Sequence, residues 1–423
     1  MREWNKGART VGTQTKLQLR ARGSGRAWLL GPALVAGVAY LDPGNVAVNM
    51  SAGAQFGYLL VWVLVAANAA AWLVQYLSAK LGLVTGSSMA ELLGQRIANR
   101  AWRVLYGLQA QCVAIATDVA EVIGGAVALW ILFDVPLVAG AVITGVISTG
   151  LLLLQAQRGA RTFEFAIIGL MLVIVIGFCY GLFIAPPEPG AVLGGMIPRF
   201  DGAQSVLLAA SILGATVMPH AIYAHSSLAR DRFGTERTYP LSRLIRATRV
   251  DVTIALTIAG SVNLVMLLVA ASVLPGVAGT ETIEGAHAAI ENTLGTTASL
   301  MFAIALLASG LASTAVGAYA GSDIMGGLFR TRMKLLTRRL ITIIPSIIVL
   351  AAGVDPTYAL ILSQVILSFG IPFALVPLVW LTSRKSLMGA SVNARETTFL
   401  GWAIAAVIIA LNVALVALET GIA

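Results

Sequence analysis

The feature that most constrains this chain is a succession of apolar stretches, each close to the ~20 residues that an α-helix needs to cross a bilayer. Charged residues make up only 11% of the 423 residues, and hydrophobic residues make up 58%. In an average soluble domain, roughly 25% of residues are charged. Because a water-soluble fold could not cover so much apolar surface, the sequence predicts an all-α integral membrane protein with a single transmembrane domain over residues 28–423.

Apolar stretches bounded by charges, glycine and proline predict eleven transmembrane helices. We place them at 28–50, 58–83, 102–133, 136–154, 163–184, 205–228, 250–274, 287–328, 335–354, 356–381 and 399–418. Residues 1–27 are basic and polar and have no small-residue cleavage site before the first apolar stretch. We therefore expect a cytoplasmic tail rather than a removable signal peptide.

The distribution of basic residues predicts the orientation of these spans. With the N-terminus inside, 27 of the 28 Lys and Arg residues fall on cytoplasmic segments or at the cytoplasmic ends of spans, and only Arg199 falls outside. The positive-inside rule rarely produces such a division by chance. We expect a cytoplasmic N-terminus and an extracytoplasmic C-terminus. Because the charges sit at span ends rather than in one patch, nucleic-acid binding is not expected.

Two of the predicted helices are interrupted near their middle. The first contains Asp-Pro-Gly-Asn at 42–45, and the sixth contains Thr-Val-Met-Pro-His at 216–220. Proline removes a backbone donor and glycine relaxes the chain, so neither helix continues regularly. Free carbonyls are costly in lipid, so both breaks must face protein or a water-filled cavity. Two interrupted helices, each opening five spans, predict inverted repeats at about 28–184 and 205–381, with 399–418 as an additional helix.

The side chains at the two breaks indicate which ion such a transporter would carry. Asp42 supplies an anionic oxygen, Asn45 a neutral oxygen and Met218 a polarisable thioether, while Ala39 and Ala215 would add backbone carbonyls. Magnesium and calcium prefer shells made of oxygen, whereas a thioether suits softer first-row and heavier divalent ions. The set therefore predicts selection of manganese, iron, cobalt or cadmium.

With these motifs the chain resembles the Nramp family of proton-coupled metal transporters, close to its bacterial manganese importers. The resemblance covers nearly the whole length after the tail and implies an eleven-helix version of the fold shared with sodium-coupled amino-acid transporters. It implies that the carboxylate, amide and thioether named above bind the metal, with the two alanine carbonyls helping in different states. It also implies a further ligand, Gln364, in the Leu-Ser-Gln-Val segment at 362–365. The expected location is a bacterial inner membrane.

Titratable residues inside apolar spans predict a path for protons. The third span carries two carboxylates three residues apart, on one helix face, where they must be paired, wetted or protonated. The resemblance implies a path through the following residues: Asp42, His220, Asp118, Glu121, Arg338 and Arg339. Two alternatives stay open. In one, local hydrogen bonds and ion pairs satisfy the two carboxylates, which then have no role in transport; in the other, the two arginines only extend to the lipid headgroups.

Together these patterns predict a secondary active importer of Mn²⁺ or Fe²⁺, and of Cd²⁺ and Co²⁺, coupled to proton entry by alternating access. The alternatives are a magnesium transporter of a related lineage, which the retained Met218 disfavours, and a cation-coupled amino-acid transporter of the same fold. A channel or a metal-sensing receptor is disfavoured by the symmetric pair of broken helices. We find no nucleotide-binding glycine loop, nucleophile with a base, or zinc-ligand cluster, so an enzyme is not expected. Neither a cofactor beyond the metal cargo nor an obligatory protein partner is predicted.

Overall fold

The computed structural model describes residues 31–158, 160–233, 239–331 and 335–420, and every regular element in those ranges is helical. The predicted cytoplasmic tail lies outside the described residues. The helices, numbered in chain order, are α1 Pro32–Val38, α2 Pro43–Phe56, α3 Val61–Thr85, α4 Met89–Arg96, α5 Arg100–Phe133, α6 Leu137–Arg158, α7 Ala160–Ile184, α8 Pro189–Gly194, α9 Gly202–Thr216, α10 Pro219–Phe233, α11 Leu241–Val273, α12 Ile283–Leu294, α13 Thr296–Ile324, α14 Leu335–Ala351, α15 Pro356–Thr382, α16 Lys385–Met388 and α17 Arg395–Glu419.

Within this described part, eight helices are long and apolar enough to cross a membrane. Three other predicted spans coincide with shorter apolar helical stretches, at Pro32–Leu41, Leu137–Leu153 and Arg339–Ala351. The first of these runs through a 3₁₀ turn at Ala39–Leu41 and ends at a break, as its proline and glycine predict. The all-α membrane fold is therefore confirmed, whereas the count of eleven crossings stays a prediction.

The predicted eighth span, 287–328, is wrong at its beginning. It contains parts of two helices, α12 and α13, separated by Gly295 with a φ of 90°, in the left-handed region. The Thr282 hydroxyl begins α12 by accepting a hydrogen bond from the Gly285 amide at 3.1 Å. The spanning helix therefore starts at Thr296, and His287 lies on the shorter helix that precedes it.

The first break forms where Asp42 caps α2 and Pro43 begins it. Asp42 has an extended backbone, with φ −72° and ψ 163°, and its Oδ1 accepts a hydrogen bond from the Asn45 amide at 2.8 Å. A carboxylate at this position satisfies one of the free amides of the first helical turn and complements the positive end of the helix dipole. The motif that interrupts the helix therefore also fixes the direction of the Asp42 side chain.

Polar side chains from two other helices satisfy the carbonyls next to this break. Asn263 on α11 donates from Nδ2 to the Tyr40 carbonyl at 2.7 Å, and the Ser309 hydroxyl on α13 donates to the Leu41 carbonyl. These carbonyls have no helical partner once the chain leaves the regular path, and lipid could not supply one. The two carbonyls that precede the break are therefore satisfied by neighbouring helices.

The beginning of α1 is held by a carboxylate from α11. Asp251 accepts hydrogen bonds from the Gly31 amide at 3.2 Å and from the Ala33 amide at 2.9 Å. Both amides belong to the first turn, where an α-helix has no internal acceptors. Because Asp251 is buried, it fixes the position of α1 relative to α11.

The second break lies between α9 and α10, at Val217 and Met218, and both residues are fully buried. The helix before it packs directly on the backbone of α15. A Cβ placed on Gly214 would lie only 1.9 Å from the Gln364 carbonyl oxygen, so glycine permits this approach. The contact brings the middle of α15 to the second break.

Candidate metal centre

One side-chain amide joins the two helix breaks at a buried centre. Asn45 donates from Nδ2 to Asp42 Oδ1 at 2.7 Å and to the Ala215 carbonyl at 2.8 Å. Asp42, Asn45, Ala215 and Met218 each expose 1% or less of their surface. The structure therefore brings Asp42, Asn45 and Ala215 into direct contact and closes the centre to solvent.

Three oxygen atoms at this centre lack hydrogen-bond partners among the described residues: Asp42 Oδ2, Asn45 Oδ1 and Gln364 Oε1. The orientation of the Asn45 amide follows from its two donated hydrogen bonds, which leave its oxygen as the free acceptor. Buried polar atoms nearly always have a partner, and leaving one without costs about 1–3 kcal/mol. A group of free acceptors is an arrangement that a cation can satisfy.

The side chains of Gln364 and Asp42 both lie close to the backbone of Gly44. A Cβ placed on Gly44 would lie 1.8 Å from Gln364 Nε2 and 3.1 Å from Asp42 Oδ2. Gly44 therefore allows the amide from α15 to pack against the first break, beside the carboxylate. The predicted ligand from the tenth span lies at the centre with the two broken helices.

The other two predicted ligands are buried in the segments that interrupt the helices. Ala39 lies in the 3₁₀ turn before the first break, and Met218 lies in the second break. No cluster of three or more His, Cys, Asp or Glu side chains that could hold a metal occurs in the described part of the chain. A cation at this centre must therefore use amide, carbonyl and thioether donors in addition to the single carboxylate of Asp42.

The carboxylates of the third span lie beside the first break. A Cβ on Gly124 would lie 1.9 Å from the Pro43 Cβ, so α5 packs directly against the interrupted segment. Glu121, about one turn earlier on α5, is fully buried and lies within electrostatic range of Asp118 and Asp42. Glu121 is therefore within electrostatic range of both Asp118 and the carboxyl group at the candidate metal centre.

Arg339 supplies the positive charge next to these carboxylates. It exposes 1% of its surface, its Nη1 lies 3.4 Å from Asp118 Oδ1, and its Nη2 donates to the Ser148 hydroxyl. This arginine is buried in the protein and does not extend to the headgroups. Both Glu121 oxygens lack a hydrogen-bond partner among the described residues. The side chain of Arg338 lies outside the described residues.

His220 is held in one orientation by Thr117. The Thr117 hydroxyl donates to the Val113 carbonyl at 3.1 Å, and His220 Nδ1 lies 3.1 Å from the same hydroxyl oxygen. Because the single hydroxyl proton is already used, Nδ1 must be the donor in this pair. Nε2 of His220 is then the free nitrogen, and it has no partner within the described ranges.

Five side chains that hold this arrangement were not singled out from the sequence: Thr117, Ser148, Ser309, Asp251 and Asn263. An acid or an amide within an apolar span is a signal of function or of structural hydrogen bonding, so the last two could have been found. Serine and threonine give no such signal, because in spans they commonly donate to a carbonyl of their own helix.

The two broken helices, the buried centre between them and the adjoining carboxylates define a multi-pass membrane protein of the broken-helix transporter class. Comparison with known proteins narrows this class. The family model described as Nramp, natural resistance-associated macrophage protein-like, matches residues 33–418. The divalent metal cation transporter MntH of Mycobacterium tuberculosis strain H37Rv is 58% identical over 390 residues, which cover 92% of this chain and 91% of that protein. The chain belongs to the Nramp family, as the sequence motifs predict.

Solved structures confirm the fold class. A crystal structure of the Eremococcus coleocola manganese transporter matches with a TM-score of 0.82 at 30% identity, over 93% of this chain and 86% of that chain. The structure of MhsT in complex with L-phenylalanine matches with a TM-score of 0.61 at 14% identity, over 92% of this chain and 97% of that chain. The second likeness concerns the fold alone.

Proposed function

We propose that this chain imports divalent transition metals, with Mn²⁺ and Fe²⁺ as the main substrates and Cd²⁺ and Co²⁺ as further ones, coupled to proton entry across a bacterial inner membrane. The observation that carries the proposal is the contact of Asp42, Asn45 and Ala215 at the two helix breaks, with free oxygens on the first two. Membership of the Nramp family and the printed names of the relatives, which concern divalent metal and manganese, support it.

In the proposed site, the cation binds to Asp42, Asn45 and the Met218 sulfur. The Ala215 and Ala39 carbonyls and the Gln364 amide oxygen complete its coordination in different conformations. A site with one charge, neutral oxygens and a thioether favours soft divalent ions over the much more abundant Mg²⁺ and Ca²⁺. Alternating access follows from movement of the half-helices about the two breaks, which opens the buried centre to one side at a time.

In the proposed proton route, the metal favours the ionised form of Asp42 because a divalent cation and a proton repel each other at the same carboxyl group. The released proton passes toward Glu121 and Asp118, which lie within electrostatic range of each other. Arg339 compensates the negative charge of Asp118. His220 offers its free Nε2 as a further proton acceptor, and we assign Arg338 to the same route from the family resemblance.

Manganese uptake into proteoliposomes at several external pH values tests the metal site. Met218→Ala removes the thioether, and Met266→Ala is the matched control because Met266 is also buried but lies against an apolar pocket. Wild type and Met266→Ala should take up Mn²⁺ faster at acid pH and in excess Ca²⁺ and Mg²⁺. Met218→Ala should lose Mn²⁺ uptake in that excess. Equal uptake by the two variants would refute the assigned ligand.

The same vesicles distinguish the alternative substrates and test proton coupling. An encapsulated pH dye should report acidification that requires external Mn²⁺ and is lost in Asp118→Asn. Uptake of Mg²⁺ by wild type, unchanged in Met218→Ala, would favour the magnesium transporter. Uptake of an amino acid without uptake of any metal would favour the other alternative. Metal uptake with no proton movement at any pH would refute proton coupling but not metal transport.

A further inference from the structure

Two cationic side chains face one aromatic ring between α3 and α11, at the end of the bundle predicted to be cytoplasmic. Lys80 Nζ lies 5.9 Å from the centroid of the Tyr76 ring, and Arg249 Cζ lies 5.1 Å from it. Arg249 also donates from Nη2 to the Tyr76 hydroxyl at 3.3 Å. The two cations are close enough to repel each other. We refer to Lys80, Tyr76 and Arg249 as the cationic cleft.

Neither cation of the cleft forms an ion pair with any residue that the structure describes. Lys80 exposes only 6% of its surface, and its ammonium donates to the neutral side-chain oxygen of Asn393 at 2.7 Å. Lysine is almost never buried without a counter-charge, because removing an ammonium group from water is costly. The cleft therefore has an excess of positive charge that the described protein does not compensate.

The first turns of α11 increase this excess. Arg243, Arg246 and Arg249 recur every three residues along the exposed side of the helix, and its first turn contains no acidic residue. The beginning of a helix already carries a partial positive charge, which basic side chains make less favourable. Only Arg243 lies in that first turn, so an anion bound near Arg246 and Arg249 would act by relieving the repulsion between the side chains.

The backbone of Arg249 and the ring beneath its side chain are both held in place. The Thr253 hydroxyl donates to the Arg249 carbonyl at 2.8 Å, and Trp72 Nε1 donates to the Thr253 hydroxyl at 2.9 Å. The rings of Trp72 and Tyr76 stack with centroids 6.0 Å apart and an interplanar angle of 14°. Tryptophan and tyrosine are enriched at the level of lipid headgroups. The cleft is therefore a preformed surface whose aromatic side chains are of the type enriched at the level of headgroups.

Beside the cleft, the face of α11 that continues from Arg246 toward the membrane interior is apolar and open. Val250 exposes 47% and Ile254 exposes 39% of their surface, and in a membrane helix such surfaces face acyl chains. A small soluble anion would gain nothing from this surface. A phospholipid would place its phosphate at the cleft and an acyl chain along the adjacent face of α11, over Val250 and Ile254.

We propose that the cationic cleft binds the phosphate of an anionic phospholipid from the leaflet predicted to be cytoplasmic. The single negative charge of the phosphodiester offsets part of the positive charge of Lys80 and Arg249, and the lipid joins α3 to α11, the helix whose Asn263 and Asp251 hold the first broken helix. Basic pockets between transmembrane helices on the cytoplasmic side recognise anionic headgroups through the same charges. This inference is independent of the substrate that the protein transports.

Lipid retention by the purified full-length protein in detergent tests the proposal. Native mass spectrometry should detect phosphatidylglycerol bound to the wild type at a concentration at which phosphatidylcholine is not retained, and the lipid should raise the thermal midpoint. Arg249→Gln should weaken phosphatidylglycerol binding at least tenfold. Arg384→Gln is the matched control, because Arg384 stacks on Trp380 outside the cleft, with Cζ 3.8 Å from the ring centroid. The control variant should bind the lipid like the wild type.

Two other outcomes would overturn the proposal. Equal retention of phosphatidylglycerol and phosphatidylcholine by the wild type would show that no anionic headgroup is selected. Inorganic phosphate that raises the thermal midpoint as much as an equal concentration of phosphatidylglycerol would assign the cleft to a soluble anion. If Arg249→Gln does not fold, a salt titration of the wild type replaces it. Phosphatidylglycerol retention that does not weaken between low and high salt would contradict the assigned charge contact.

Discussion

Replacing Gly44 with alanine tests how closely α15 must approach the first helix break. The added Cβ would lie 1.8 Å from Gln364 Nε2, 2.5 Å from Gln364 Cδ and 3.1 Å from Asp42 Oδ2. Favourable separations between such atoms are ~3.5–4.0 Å, so the Gln364 amide must retreat by roughly 1.5–2 Å. Because the clash involves the tip of a flexible side chain, the protein can still fold with Gln364 displaced.

A displacement of this size should disable the proposed metal centre without unfolding the protein. Misplacing a functional group by ~1 Å can cost on the order of 100-fold in rate, so we expect initial Mn²⁺ uptake to fall by roughly 10- to 100-fold. Alanine is about 1 kcal/mol more favourable than glycine inside a helix, which opposes any destabilisation from the clash. The thermal midpoint of Gly44→Ala should therefore stay close to that of the wild type.

The assay is initial Mn²⁺ uptake by purified protein in proteoliposomes, with thermal unfolding measured in parallel. Gly150→Ala is the matched control, since Gly150 lies in helix α6 and a Cβ there would have no atom within 4 Å. Gly44→Ala combined with Gln364→Ala should transport like Gln364→Ala alone, because the side chain in conflict is gone. Uptake by folded Gly44→Ala within twofold of wild type would refute the reasoning.

Two further predictions concern the buried charges around the centre. Arg339→Met leaves Asp118 without its counter-charge, which should cost about 3–5 kcal/mol and lower the thermal midpoint, whereas Arg339→Met combined with Asp118→Asn should recover part of the loss. A double variant as unstable as the single one would show that the pair is not the cause. Asp251→Ala should leave the Gly31 and Ala33 amides unsatisfied, at about 1–3 kcal/mol each. Hydrogen exchange should then accelerate in α1 while α15 is unchanged, and equal protection of α1 in variant and wild type would contradict the capping role.

The helix breaks could be predicted from the sequence because their causes are local. Pro43 and Pro219 cannot donate within a helix, and their effect does not depend on what surrounds them. The structure adds that Asp42, directly before the proline, caps α2 by accepting a hydrogen bond from the Asn45 amide at 2.8 Å. The meeting of the two breaks followed only from the repeated pattern and the family resemblance, since no local rule brings residue 45 to residue 215.

The partners of the freed carbonyls could not be predicted, because they depend on which helices pack together. Asn263 and Ser309 are far from Tyr40 and Leu41 in the sequence. The predicted span at 287–328, which merged α12 with α13, is a different kind of error. Gly295 is a readable helix stop, but an apolar window averages over it and merges the two helices. A helix end placed at Gly295, in preference to the hydropathy average, gives the correct beginning for α13.

The distribution of satisfied and free acceptors gives a physical reason for the competition between metal and proton that the proposed function requires. Tyr40 and Leu41 carbonyls beside the break have donors of their own, whereas Asp42 Oδ2, Asn45 Oδ1 and Gln364 Oε1 have none among the described residues. Each free buried acceptor costs about 1–3 kcal/mol. In the proposed cycle, a bound cation removes that cost at all three atoms, and a proton on Asp42 removes part of it at one. Because both ligands lower the same unfavourable energy at the same carboxylate, each must weaken the binding of the other there, and linkage makes this effect equal in both directions. In the proposed cycle the displaced proton therefore needs another acceptor, and we assign that role to the carboxyl groups of Glu121 and Asp118.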